Sequence, residues 1–318
     1  MAIQTADSVF KVSYDARRTE LTSLGREAEL RLAMPWLAGA FAEHLGGPAG
    51  MVLRRGPFMV AEHGDQMTGA AIVPASDGLE AAAEGIYREL LATCGEFHLH
   101  RIWNYVPRIN DMQAGLERYQ QFNIGRWVAF EERYGRDLRA FLPAASAVGI
   151  KGDHLALMFS AGKRRPLFFE NPSQVPAYHY PPDYGPRPPG FARGVVIEEA
   201  DARTVFLSGT ASIEGHRSVG EGDWDLQFRT TLHNIETMLG RMGVPEALHG
   251  DAWRRGDVLD GGFKCYLRHP ESLCVMQEFF FEHTGLDESR VSFVQADICR
   301  RELDLEIEAA IRAPLPRA

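Results

Sequence analysis

The same order of elements can be read twice along this chain, on either side of a stretch too rich in proline to be helix or strand. Residues 57–75 read as two short strands about a polar turn at His63–Asp65. Residues 79–94 carry Leu79, Ala82, Ala83, Ile86, Leu90 and Leu91 at helical spacing. A strand follows over 98–110, stopped at Pro107, and then a helix over 115–133 weakened at Asn123 and Gly125. Beyond the proline-rich stretch the order recurs. Two strands span 194–213 and an amphipathic helix spans 223–243. A strand at 263–269, a helix at 270–285 with Pro270 near its first turn, and a last strand in 291–311 complete it. The pattern predicts a duplicated α/β (α+β) unit. Residues 172–192 hold seven prolines in 21 positions, each removing a backbone donor. They are expected to form an ordered connection, since Tyr178, Tyr180 and Tyr184 argue against a purely flexible tether. The expected division is therefore 1–171 for an N-terminal unit with an extension, 172–192 for the connection, and 193–318 for a C-terminal unit.

Charge and cysteine usage narrow the function classes. Lys+Arg 34 against Asp+Glu 43 leaves a net charge of -9 over 318 residues. A duplex-DNA or anionic-membrane binder needs a basic face to displace counterions, so both are disfavoured. A few arginines in a pocket can still bind a small anion. No apolar run approaches the roughly 20 residues of a membrane span. The N-terminus lacks the basic-then-apolar order of a signal peptide. Cys94, Cys265, Cys274 and Cys299 are widely spaced, without a CxxC pair, and are expected to be reduced thiols in a cytoplasmic protein. His98 and His100 would share a strand face, but no third donor stands at a zinc spacing, so no metal is expected. GGPAG at 46–50 lacks the lysine and the strand–helix context of a phosphate loop, and no nucleotide cofactor is expected. Ser208, in LSGTAS, is not part of a GxSxG elbow.

Two stretches are unusual. Residues 101–130 interleave Arg101, Arg108, Arg118 and Arg126 with Trp103, Tyr105, Tyr119, Phe122 and Trp127. Arginine forks beside tyrosine hydroxyls suit a planar carboxylate, although an amphipathic helix with solvated arginines would use the same residues. In 295–308, strand alternation sends Leu303, Leu305 and Ile307 one way and Glu302, Asp304, Glu306 and Glu308 the other. Crowded carboxylates raise one another's pKa, and burial raises it further, which is what a general acid near pH 7 requires. A solvated outer strand face is the alternative.

RIWNYVPRIN, ERYQQFNIGR, FLSGTASIEGH, QFRTTLHNIETML and QADICRRELDLEIE, in that order over roughly 57–308, resemble the chorismatase family. The resemblance implies two RidA/YjgF-like units and no cofactor. It also implies that a protonated glutamate, here Glu306, delivers a proton to the enolpyruvyl methylene of chorismate, after which pyruvate leaves. One branch of the family ends in a dihydroxycyclohexadienoate through attack of water. The other forms a hydroxybenzoate, and Cys299 resembles that aromatising branch, so 3-hydroxybenzoate is expected, with 4-hydroxybenzoate as a co-product. Ser212 stands where relatives carry a smaller Gly or Ala and is expected to face Cys299. The dianion needs two cationic clamps. Arg118, Arg126, Tyr105 and Tyr119 are the candidates from the first half, and Tyr266, Arg268 and Arg301 from the second. A pocket between the halves would let them converge. The rival readings are a non-catalytic RidA-like binder, a RidA-type imine deaminase, and a pteridine-dependent oxygenase, which would need a metal site. Fusion of two units suggests a monomer.

Overall fold

The computed structural model describes residues 8–14, 17–24, 27–48, 51–76 and 78–315. Five strands come first: β1 (Ser8–Tyr14), β2 (Glu20–Leu24), β3 (Glu27–Leu32), β4 (Trp36–Gly39) and β5 (Ala42–Pro48). The first unit then runs β6 (Val52–Arg55), β7 (Phe58–His63), β8 (Gln66–Pro74), α1 (Leu79–Cys94), β9 (His98–Pro107), a small hairpin of β10 (Met112–Gln113) and β11 (Leu116–Glu117), α2 (Arg118–Tyr134), β12 (Ala144–Ile150) and β13 (His154–Gly162). After β14 (Leu167–Phe169), the second unit runs β15 (Gly194–Glu198), β16 (Ala202–Thr210), a hairpin of β17 (Ile213–Glu214) and β18 (Arg217–Ser218), and α3 (Trp224–Arg241). It closes with α4 (Gly250–Arg255), β19 (Asp260–Leu267), α5 (Leu273–Thr284), β20 (Val291–Gln295) and β21 (Leu305–Pro314).

The duplication is present, and it is more complete than the sequence pattern predicts. One sheet has the order β12-β9-β13-β8-β7-β6 and the other β14-β15-β16-β21-β19-β20-β4. Within them, β12-β9-β13-β8-β7 and β20-β19-β21-β16-β15 are the same arrangement. Each is parallel only at its first pair and antiparallel thereafter. The two units are thus α+β, as expected. Strands β12 and β13 were not anticipated, because AASAVGI and HLALMFSAG are apolar on both faces and show no two-residue alternation. The single strand expected in 291–311 is two strands, β20 and β21, with a loop between them.

The layers are helix, sheet, sheet, helix. On the outer face of the first sheet, Leu90, Phe122 and Phe130 pack on Ile102 and Leu157. On the outer face of the second, Phe228, Ile235 and Phe280 pack on Leu207 and Ile307. Between the sheets Trp103 and Met158 meet Phe206, Tyr266 and Ala310, and this core continues into Phe10, Val12 and Leu30 of the N-terminal strands. Gly125, which weakens the helical pattern of α2, is explained by helix packing: a Cβ there would run into the backbone of Glu80 and Glu84 on α1. Strand β4 pairs with β20 and covers that edge of the second sheet.

Candidate active site

The two units meet where β12 of the first sheet lies beside β16 of the second. The pairing of β16 with β21 slips between Leu207 and Thr210, which places a bulge at Ser208–Gly209. The bulge turns Ser208 toward the seam. Its hydroxyl donates to the Ala192 carbonyl (2.6 Å) and accepts from the Ala145 N–H (2.9 Å), tying the halves together. Gly209 then lies against the carboxyl of Glu306, where a Cβ would overlap Oε1. A pocket opens here, floored by Ser146, Gly209, Cys299 and Glu306.

Glu306 is 3% exposed, and its Oε1 has no hydrogen-bond partner among the described residues. Burial first, and the Glu308 carboxylate second, push its pKa up to about 8; Arg101 and Arg193 pull in the opposite direction. The sequence reading attributed this rise to a row of acidic neighbours. Only Glu308 of that row acts on it. Asp304 accepts from Gln227 (3.1 Å) and Glu302 accepts from Ser218 (2.8 Å), both in the turn before β21. Glu308 shares the strand face with Glu306 yet behaves oppositely. Burial would raise it, but Lys264 and Arg101 override that and bring it down to about 2. Arg101 donates to Glu308 at 2.7 Å and to Ser146 at 3.0 Å, and the Trp103 indole donates to Glu308 at 2.9 Å. Cys299 Sγ stands 4.0 Å from Glu306 Oε2, and burial, then Glu306, push its thiol up to about 12, so it is not a thiolate.

The walls are only partly those expected. Tyr119, Arg126 and Arg301 line the pocket. Arg126 donates to Asn123 (2.7 Å) over the Phe122 ring, and Arg301 donates to Glu117 (2.8 Å) and to the Asn110 carbonyl at the rim. The other expected side chains point elsewhere. Arg118 donates to the Pro107 carbonyl (2.8 Å) and to Gln113, bracing the loop before α2. Arg268 donates to Leu303 and Arg300 carbonyls (both 2.9 Å) and to Asp297 (2.7 Å), which holds the loop between β20 and β21. Tyr105 and Tyr266 are fully buried between the sheets, behind the pocket. Ser212 does not face Cys299 from the pocket wall. It donates to the Val219 carbonyl (2.7 Å), and its neighbours Ala211 and Ile213 supply the lining.

The proline-rich connection supplies the walls that the sequence reading missed. Pro182 opens a short 3-10 turn ending at Tyr184, so Tyr180, Asp183 and Tyr184 all reach the pocket. Arg193 donates to the Tyr180 hydroxyl (2.6 Å). Arg300 is packed between the rings of Tyr180 and Tyr184, 5.1 and 4.1 Å from their centroids. The three tyrosines of the connection, followed at once by Arg193, were the available signal.

A buried carboxyl whose pKa is pushed up to about 8, on a pocket walled by arginines and tyrosines, is a setting suited to a small anionic ligand. The model of the family described as Chorismatase FkbO/Hyg5-like, N-terminal, matches residues 49–161. A 3-hydroxybenzoate synthase of Streptomyces hygroscopicus is 34% identical over 286 residues, 87% of this chain and 80% of that protein. A chorismatase of Streptomyces rapamycinicus is 35% identical over 256 residues, 78% of this chain and 75% of that protein. A crystal structure of a chorismatase matches with a TM-score of 0.82 at 26% identity, covering 96% of this chain and 94% of that one. The chain belongs to the chorismatase family. Among the described residues, no helix is long and apolar enough to cross a membrane.

Proposed function

We propose that this chain converts chorismate to pyruvate and 3-hydroxybenzoate, acting as a cytoplasmic monomer. The observation that carries the reading is Glu306, a buried carboxyl at the pocket whose Oε1 has no hydrogen-bond partner among the described residues, with its pKa pushed up to about 8. Protonation of the enolpyruvyl methylene by Glu306 makes the ether carbon oxocarbenium-like. Departure of pyruvate with participation of the neighbouring ring hydroxyl then leaves the aromatic acid. No water is consumed on this route, whereas the diol route takes up one. Arg193, Arg300, Arg126 and Arg301, with Tyr119, Tyr180 and Tyr184, are the groups that hold the two carboxylates. Cys299 occupies the space beside Glu306 as a neutral thiol and keeps water from the ring. Coverage of the β20 edge by β4 supports the monomer.

Incubation of the purified chain with chorismate, with pyruvate assayed and the ring product identified by mass spectrometry, tests the reading. Pyruvate with 3-hydroxybenzoate supports it, and absence of pyruvate overturns it. Cys299→Ala is expected to shift product toward the dihydroxydiene, because loss of the sulfur leaves room for a water. An unchanged product ratio would place branch choice elsewhere. The pH profile follows from the active form of Glu306 being protonated. Pyruvate release is expected to fall as pH rises through about 8, where the carboxyl ionises. Activity still rising at pH 9 would contradict the acid role.

A further inference from the structure

Behind Glu306 lies a buried charge cluster that reaches into the N-terminal strands. Lys264 on β19 is fully buried, with Nζ 2.9 Å from Glu43 on β5 and 3.1 Å from Glu308 on β21. Arg101 on β9 makes the second cation, 2.7 Å from Glu308, and Tyr14 on β1 donates to Glu43. Among the described residues, two carboxylates and two cations therefore face one another with no exposed member. Register joins this cluster to the acid, because Lys264 pairs with Glu308 and Tyr266 pairs with Glu306 across β19 and β21. The groups facing Glu306 are Glu308 on its own strand, Tyr266 from β19, Arg101 from β9, Arg193 ahead of β15, Cys299 from the loop before β21, and Tyr119 from α2.

We propose that Glu43 and Glu308 are positioning residues for the acid: by saturating Lys264 and Arg101 they leave Glu306 an uncharged carboxylic acid, which makes the N-terminal strands part of the catalytic apparatus. The physical reason is electroneutrality in a dry interior. A buried cation that loses its carboxylate is compensated at low cost by ionising a protonated carboxyl close by; Glu306 lies beside Glu308 on the same strand face, whereas the phenols of Tyr14, Tyr105 and Tyr266 around Lys264 are pushed above their ordinary range by burial. Strand β5 thus acts on the chemistry from more than 200 positions away in sequence without touching the pocket. The catalytic meaning rests on the reading of Glu306 as the proton donor, but its protonation can be followed without substrate.

The test is a carbon-13 NMR titration of carboxyl-labelled glutamate in the full chain, with the Glu306 signal identified by its loss in Glu306→Gln. Native protein is expected to titrate near pH 8 at this site. Glu43→Gln and Glu308→Gln should each move the titration down by about one pH unit or more. The double variant Glu43→Gln/Lys264→Gln removes one charge of each sign and should titrate near the native value. Either folded single variant titrating as native overturns the proposal, and so does a double variant displaced downward like the single ones. A merely structural role for Glu43 would lower stability without this shift and without its reversal. Pyruvate assays on the same samples separate the two readings, since a shifted titration in a chain that never releases pyruvate removes the proposed function and leaves the charge balance standing.

Discussion

Glu306→Gln is expected to slow pyruvate release from chorismate by about 10²–10⁴-fold while leaving chorismate binding within a few-fold of native. The amide keeps the shape of the carboxyl and its contact with Gly209, but it has no proton acidic enough to give to carbon. The two acidic groups set beside it cannot take its place. The Cys299 thiol is pushed up to about 12, and burial pushes the Tyr119 phenol above its ordinary value. The substitution should also be mild for the fold, because a neutral amide replaces a carboxyl that is itself mostly neutral at pH 7. Stability adds a check. The folded-state pKa of Glu306 lies above the ordinary 4.5, so its contribution is fully present below 4.5 and is lost as pH rises through about 8. Glu306→Gln removes that dependence. Kinetics and equilibrium binding on one preparation decide the matter, and a variant retaining more than a tenth of native turnover would take the acid role from Glu306.

Lys264→Met should cost about 3–5 kcal/mol of folding stability at pH 7, the expected penalty for removing one partner from a buried ionic cluster. Glu43 and Glu308 would be left short of a cation that stands 2.9 and 3.1 Å from them. The methionine fills similar volume, so cavity formation contributes little. The native chain should show the signature of this cluster in acid. Glu308 titrates at about 2 when folded against an ordinary 4.5, so it stabilises the fold above 4.5 and ceases to as pH falls toward 2. Lys264→Met should begin to lose stability at a higher pH on the acid side. Denaturant unfolding of both proteins at neutral and acid pH measures this, and a difference below about 1 kcal/mol at pH 7 would mean the cluster is energetically idle.

Much of this was legible in the sequence, and the failures share a cause. Alternation along 305–308 correctly separated Leu305 and Ile307, which face the helices, from Glu306 and Glu308, which face the other sheet, but Leu303, ahead of the strand, joins the core between the sheets instead. The same alternation could not say that Asp304 and Glu302 sit in a turn, where side chains of Gln227 and Ser218 engage them. Arg118 and Arg126 look equivalent in sequence, yet eight residues on a helix rotate by about 80°. That rotation separates a brace for a loop from a pocket wall. Tyr105 and Tyr266 are inward-facing as their strands require, but what lies inward depends on how the two sheets meet. Arg193 and Arg300 escaped notice because the pocket is assembled from segments near 119–126, 145–147, 180–193 and 299–306, whose convergence no local pattern encodes.

The reaction proposed here depends on Glu306 resting as a protonated carboxylic acid in a buried site. An infrared difference spectrum between native protein and Glu306→Gln at neutral pH tests it most directly. The native chain is expected to show the carbonyl band of one protonated carboxyl, absent from the variant and vanishing as pH rises through about 8. A difference spectrum carrying only carboxylate bands at neutral pH would contradict it.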